Sequence, residues 1–196
     1  MSLIAIRRNY TNRDVKPKFP KMKVENAIFM WKPNMQGLND TKHSYNRDCK
    51  RTFTFVLENA NLERAIEENW MVQHVDIIVT EDGREFPARD YIEVEARYDN
   101  YPPKIAVTEN GIVKVVYKEE SECAKIFERI DNEQLANVDL VISPSVYWSA
   151  KYQCWRTGAY LDQMFIEFKE DDITFGGKYM FENADYMNED EELPFK

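Results

Sequence analysis

KIAVTENGIVKVVY, residues 104–117, is the stretch on which the fold class turns. Two short β-branched runs, 104–107 and 112–117, flank Asn110-Gly111. Asn-Gly offers two residues that tolerate positive φ, which a tight hairpin turn needs. Outward from this hairpin the pattern recurs. YIEVEARY (91–98) alternates apolar with charged residues, as a half-buried strand does. TFTFVL (52–57) is aromatic and β-branched. Residues 24–31, 72–79, 138–142 and 159–168 read as further strands, with Asp82-Gly83 as a turn.

Two segments have helical spacing instead. NLERAIEENW (61–70) sets Leu62, Ala65, Ile66 and Trp70 on one face, with Asn61 as N-cap. SECAKIFERI (121–130), capped by Ser121, groups Ala124, Ile126, Phe127 and Ile130. Six to eight short strands, several joined as hairpins and without βαβα alternation, define a mainly β protein. Closing such strands into a small barrel removes exposed edges. The expected architecture is a five-stranded OB-fold-like antiparallel barrel with extra hairpin strands and one or two short helices.

The 196 residues divide into a basic extended arm (1–21, with Pro17 and Pro20), one domain (22–178) and an acidic tail (179–196). Cys49, Cys123 and Cys154 are odd in number and form no C-x-x-C pair, which points to a reducing compartment, the cytoplasm. No stretch approaches 18 apolar residues, so no membrane partner is expected. Net charge is −9, unevenly spread. Residues 1–51 hold 12 Lys/Arg against 4 Asp/Glu, whereas residues 182–196 hold one Lys against six acids. Asymmetry of this kind marks interaction segments.

The chain has no G-x-x-x-x-G-K and no G-x-G-x-x-G. His43 and His74 are its only histidines, and neither has a partner at metal-ligand spacing. No catalytic residue, metal or cofactor is assigned. A nuclease or recombination factor holding a metal on scattered carboxylates stays as an alternative, as does a protein–protein adaptor.

Two regions interleave cations with rings. The first holds Trp31, Lys32, Lys42, Tyr45, Arg47, Lys50 and Arg51. The second, SPSVYWSAKYQCWRTGAY (143–160), groups Tyr147, Trp148, Tyr152, Trp155 and Tyr160 around Lys151 and Arg156. Rings stack on unpaired bases and cations follow phosphates, so the mixture suits single-stranded nucleic acid. Duplex readers need a basic helix or ribbon shaped to a groove, and no basic helix is present. The assigned stackers are Trp31, Tyr45, Tyr147, Trp148, Tyr152 and Trp155. The assigned phosphate contacts are Lys32, Arg47, Lys50, Arg51, Lys151 and Arg156. The two regions form one site only if the fold unites them.

The tail reads DYMNEDEELPFK (185–196), too poor in apolar surface to fold alone. Glu189, Asp190, Glu191 and Glu192 followed by Leu193, Pro194 and Phe195 combine charge with an apolar hook. Such a tail can dock on partners or compete for the chain's own basic groove.

At this point the sequence resembles a known family. The tail is similar to that of bacterial and phage single-stranded DNA-binding proteins, although Lys196 here follows the Phe that is terminal in the bacterial pattern. The body resembles tailed-phage single-stranded DNA-binding OB-fold proteins. The matching pieces are Tyr45-Asn46, KRTF (50–53), EENWMV (67–72), YIEV (91–94), YPPKI (101–105), NVDLVI (137–142) and GAYL (158–161). The resemblance implies a non-enzymatic protein that coats and protects single-stranded DNA during phage replication or recombination. It also implies recruitment of replication or recombination proteins through the tail, in the host-cell cytoplasm. Homodimer formation and RNA as ligand are left open.

Overall fold

A computed structural model describes residues 9–38, 50–79, 83, 85–99, 102–110 and 112–169. The chain runs through β1 (Met22–Val24), β2 (Arg51–Leu57), α1 (Asn59–Glu67), β3 (Gln73–Val75), β4 (Ile78–Val79), β5 (Glu85–Phe86) and β6 (Arg89–Ala96). It continues through β7 (Lys104–Glu109), β8 (Ile112–Tyr117), α2 (Glu120–Asn132), β9 (Leu135–Ser149) and β10 (Cys154–Phe168). The class is mainly β, as the alternation predicts.

The hairpin of 104–117 forms as β7 and β8, with Asn110 at φ 51° at the turn. β2 and β6 pair antiparallel, Phe53 opposite Val94 and Phe55 opposite Ile92, and all four side chains are buried. α2 opens on a capping box between Glu119 and Glu122, rather than on Ser121, and buries Cys123, Ile126, Phe127 and Ile130. α1 begins at Asn59, two residues before the expected cap, and ends before Trp70. Asn69 then turns through φ 54°, and Trp70 drops into the core at 3% exposure. The expected strand over 72–79 is two short pieces, β3 and β4. The expected strand over 24–31 shrinks to β1, followed by single bridges at Phe29 and Asn34.

Among the described residues the strands do not close into the expected five-stranded antiparallel barrel. The main sheet runs β1-β9-β10-β6-β2 with no ladder joining its ends, while β3, β7 and β8 branch from it. β10 explains the branching. One edge pairs with β9 over nearly its whole length, and the other is shared in parallel by β6 at Ala159–Tyr160 and β7 at Gln163–Ile166. The residues after β1 span the gap towards β2 through Met30 N–H to Thr54 O (2.9 Å) and Val56 N–H to Ile28 O (2.9 Å).

A second correction concerns residues 143–158, which carry no expected strand. They are the outer half of the β9–β10 ribbon, two strands of 15 residues each. Pro144 is tolerated there because β1 pairs only with Leu140–Ile142, which leaves the β1-side edge of β9 without a ladder partner at Pro144.

The described part of the arm, residues 9–21, is largely exposed and is hydrogen-bonded to the sheet at its start. Its backbone accepts from Trp155, N–H to Tyr10 O at 3.1 Å and Nε1–H to Asn12 O at 2.9 Å. Asn69 Nδ2 ties Asn9 O (2.8 Å) to Trp155 O (3.1 Å).

Candidate nucleic-acid interface

Residues directly opposite in an antiparallel ribbon point to the same side, and neighbours along a strand point to opposite sides. Tyr147 lies opposite Arg156, Ser145 opposite Gly158 and Ser143 opposite Tyr160. These share the outer face. Trp148 lies opposite Trp155 on the other face, the one that carries Ile142 and Leu161 into the core further along. The ring-rich stretch is therefore split by its own strand period.

On the inner face the two indoles meet edge to face, with centroids 5.7 Å apart at 77°. Arg13 stands 5.9 Å from the Trp148 ring and Lys16 stands 5.9 Å from the Trp155 ring. The arm thus covers this pair with cations.

The outer face carries the strip. At its far end Tyr152 has Lys151 5.2 Å and Arg156 4.9 Å from its ring. Arg156 is 7% exposed, and its buried Nε has no hydrogen-bond partner among the described residues. Next come Tyr147, 40% exposed, with its hydroxyl 3.0 Å from Met71 Sδ, and then Gly158. Tyr160 follows, opposite Glu95 of β6, with the Arg97 guanidinium 4.6 Å over its ring. Arg97 is held by two bonds to Glu95, 2.9 and 3.2 Å. Those bonds raise an already permanent cation further.

Lys50 and Tyr147 line one cavity of about 250 Å³, together with Glu93, Glu95, Gly158 and Tyr160. A second groove of about 640 Å³ adjoins it at Ser145 and Tyr160, and is lined by Lys16, Lys21 and Arg97. Trp31 is half exposed and edge-on to Tyr91 at 6.4 Å. Tyr91 falls on the same side of β6 as Glu93 and Glu95. Burial pushes its phenol up, so it donates to Gln73 Oε1 at 3.1 Å as a neutral group.

Of the expected contacts, the outer face unites Trp31, Lys50, Tyr147, Lys151, Tyr152 and Arg156. Lys32 is turned elsewhere, its Nζ 3.2 Å from Asn132 Oδ1 near the end of α2. Arg51 lies opposite buried Ala96, on the core side of the sheet. There it pairs with Glu120 at 2.6 Å and sits 5.8 Å from the rings of Tyr98 and Phe127. The cause is parity: Lys50 and Arg51 are adjacent in an extended run, so they face opposite ways. Tyr45, Arg47 and the tail residues 189–195 lie outside the described residues. Arg97 escaped the sequence reading because it comes from a strand end with no local ring-and-cation density, and Lys16 and Lys21 because the basic arm that holds them reads as a separate segment. Tyr160 stood in the ring-rich stretch without an assigned role, and only its strand pairing with Glu95 places it.

Among the described residues no three His, Cys, Asp or Glu side chains are grouped as metal ligands, and no helix is long and apolar enough to cross a membrane. A mainly β sheet that carries rings and cations together along one face is the arrangement single-strand nucleic-acid binders use. The family model described as "putative phage ssDNA-binding domain" matches residues 11–192. The chain belongs to this family of phage single-stranded DNA-binding domains. No curated protein matches it.

Proposed function

We propose that the chain binds single-stranded DNA, largely without regard to sequence, along the outer face of the β9–β10 ribbon and β6. The carrying observation is that Lys50 and Tyr147, from the two separate ring-and-cation regions, line the same cavity. Tyr147, Tyr160, Tyr152 and Trp31 offer stacking faces. Lys50, Lys151 and Arg97 offer charge to the phosphates, joined at the adjoining groove by Lys16 and by Lys21, which is paired with Asp162 at 2.8 Å. Family membership supports the same ligand. The role is to coat single strands as a binder, not a catalyst, during phage DNA replication or recombination in the host-cell cytoplasm.

The acidic residues 189–192 with Leu193-Pro194-Phe195 recruit partner proteins and compete with DNA for the cationic strip. With about four or five phosphates neutralised, a tenfold rise in salt lowers affinity by roughly three decades. Fluorescence anisotropy of labelled oligo-dT at several salt concentrations tests this, and a flat salt dependence overturns it. Removing residues 182–196 tightens oligo-dT binding in the same assay. Unchanged affinity would end the competition reading.

A further inference from the structure

We infer that the cavity above Gly158 is a base slot that prefers nucleobases bearing an exocyclic amino group over thymine. The inference rests on the single-strand reading above and names what that site selects.

Three observations converge on it. The first is Gly158 itself. Glycine in a strand interior weakens the strand and often marks close approach by a ligand. A Cβ built at Gly158 would meet Ser145 O at 3.7 Å, Ser145 Cβ at 3.8 Å and Tyr147 Cε1 at 3.9 Å, all ordinary contacts. Its backbone is outside the left-handed region, so neither packing nor conformation requires glycine here. Its effect is to leave that part of the cavity lining as backbone, beside the edge of the Tyr147 ring and next to Tyr160, where a planar ring can approach the main chain.

The second observation is the sign of the wall. Glu93 and Glu95 line the cavity from β6, the strand paired alongside Ala159 and Tyr160, so they stand beside that backbone on the same face of the sheet. Carboxylates repel phosphate, so the backbone of a bound strand follows the cations instead: Lys50 in the cavity lining and Arg97 over Tyr160 in the adjoining groove. The part of a nucleotide that can face a carboxylate is a base edge with N–H donors.

The third is the division of labour between the two acids. Glu95 is already engaged by both Arg97 bonds, while Glu93 is exposed beside it. A carboxylate accepts from the N4 amino group of cytosine or the N6 amino group of adenine. Thymine presents carbonyl oxygens at the corresponding edge and is disfavoured.

The test uses the full chain and unlabelled oligo-dC and oligo-dT of equal length, competed against a labelled strand at one salt concentration. Oligo-dC is expected to bind at least about fivefold more tightly than oligo-dT, the low end of a single base-edge contact. Glu93→Gln, whose amide both donates and accepts, narrows that ratio while oligo-dT binds as tightly or more tightly, because a negative charge is gone. Gly158→Ala, which the surrounding distances accommodate, narrows the ratio without lowering the melting temperature. Equal binding of the two oligonucleotides, or a preference that survives Glu93→Gln, overturns the slot and leaves single-strand binding standing. Absence of binding to either strand overturns both.

Discussion

Arg97 lies 4.6 Å over the ring of Tyr160 while both of its carboxylate bonds go to Glu95. Tyr160 of β10, Glu95 of β6 and Arg97 just past the end of β6 thus lock one another, and the ring is held in a fixed pose where the two grooves meet. A fixed ring loses little side-chain freedom when a base stacks on it. Tyr160→Ala is therefore expected to weaken oligo-dT binding by about 1–3 kcal/mol, and Tyr160→Phe to keep most of the affinity. Anisotropy titrations alongside thermal melts separate lost stacking from lost folding. An Ala variant that binds normally removes Tyr160 from the interface.

Lys50 and Arg51 are neighbours in sequence with opposite expected phenotypes. Lys50→Ala leaves stability within about 0.5 kcal/mol and reduces the slope of log affinity against log salt by about 0.7. Arg51→Ala lowers stability by about 1–2 kcal/mol, because it loses a partly exposed ion pair and two cation–π contacts. Its salt slope stays at the parent value. Urea melts and salt titrations of both variants read the two quantities, and the reverse assignment would show that the parity argument fails.

Asp131 is a buried carboxylate, 6% exposed, that accepts from Met35 N–H at 2.7 Å and Gln36 N–H at 2.9 Å. It ties the end of α2 to the segment leading towards Tyr45 and Arg47. Asp131→Ala strands two backbone donors and is expected to destabilise the fold by at least about 2 kcal/mol in urea denaturation. A loss under about 0.5 kcal/mol would mean that those donors find other partners.

His74 bonds Asp90 through Nδ1 at 2.7 Å and approaches Asp76 through Nε2 at 3.3 Å. The Asp90 hydrogen bond raises its value above 6.5 despite an opposing burial effect. Raised in the folded state, the group contributes stability that is fully present below about pH 6.5 and is lost as pH climbs through the folded value. An NMR titration should place the His74 midpoint above 6.5, and Asp90→Asn should bring it down. A midpoint at or below 6.5 in the parent chain contradicts the pairing.

Much of the fold is legible in local pattern. β2, β6, the 104–117 hairpin and the apolar face of α2 follow from alternation, an Asn-Gly turn and helical spacing, all properties of neighbouring residues. The outer half of the β9–β10 ribbon is not legible. Pro144, Gly158 and the polar turn residues interrupt its alternation, and its strand state comes from cross-strand bonds. Strand ends also shift where tertiary packing intervenes, as when Trp70 leaves the helical face to enter the core.

The amino-acid order by itself determined that this is a mainly β chain with cations and rings concentrated in two regions and acids at one end, because composition and periodicity are written residue by residue. Only the tertiary structure decided which rings share a surface. Strand parity turns Tyr147 and Tyr160 outward and Trp148 and Trp155 inward, and turns Lys50 away from Arg51. Non-local pairing of β10 with β6 then brings Arg97 and Glu95 to the same strip. Register and pairing depend on partners distant in the chain, so no local reading of residues 143–160 could have made that selection.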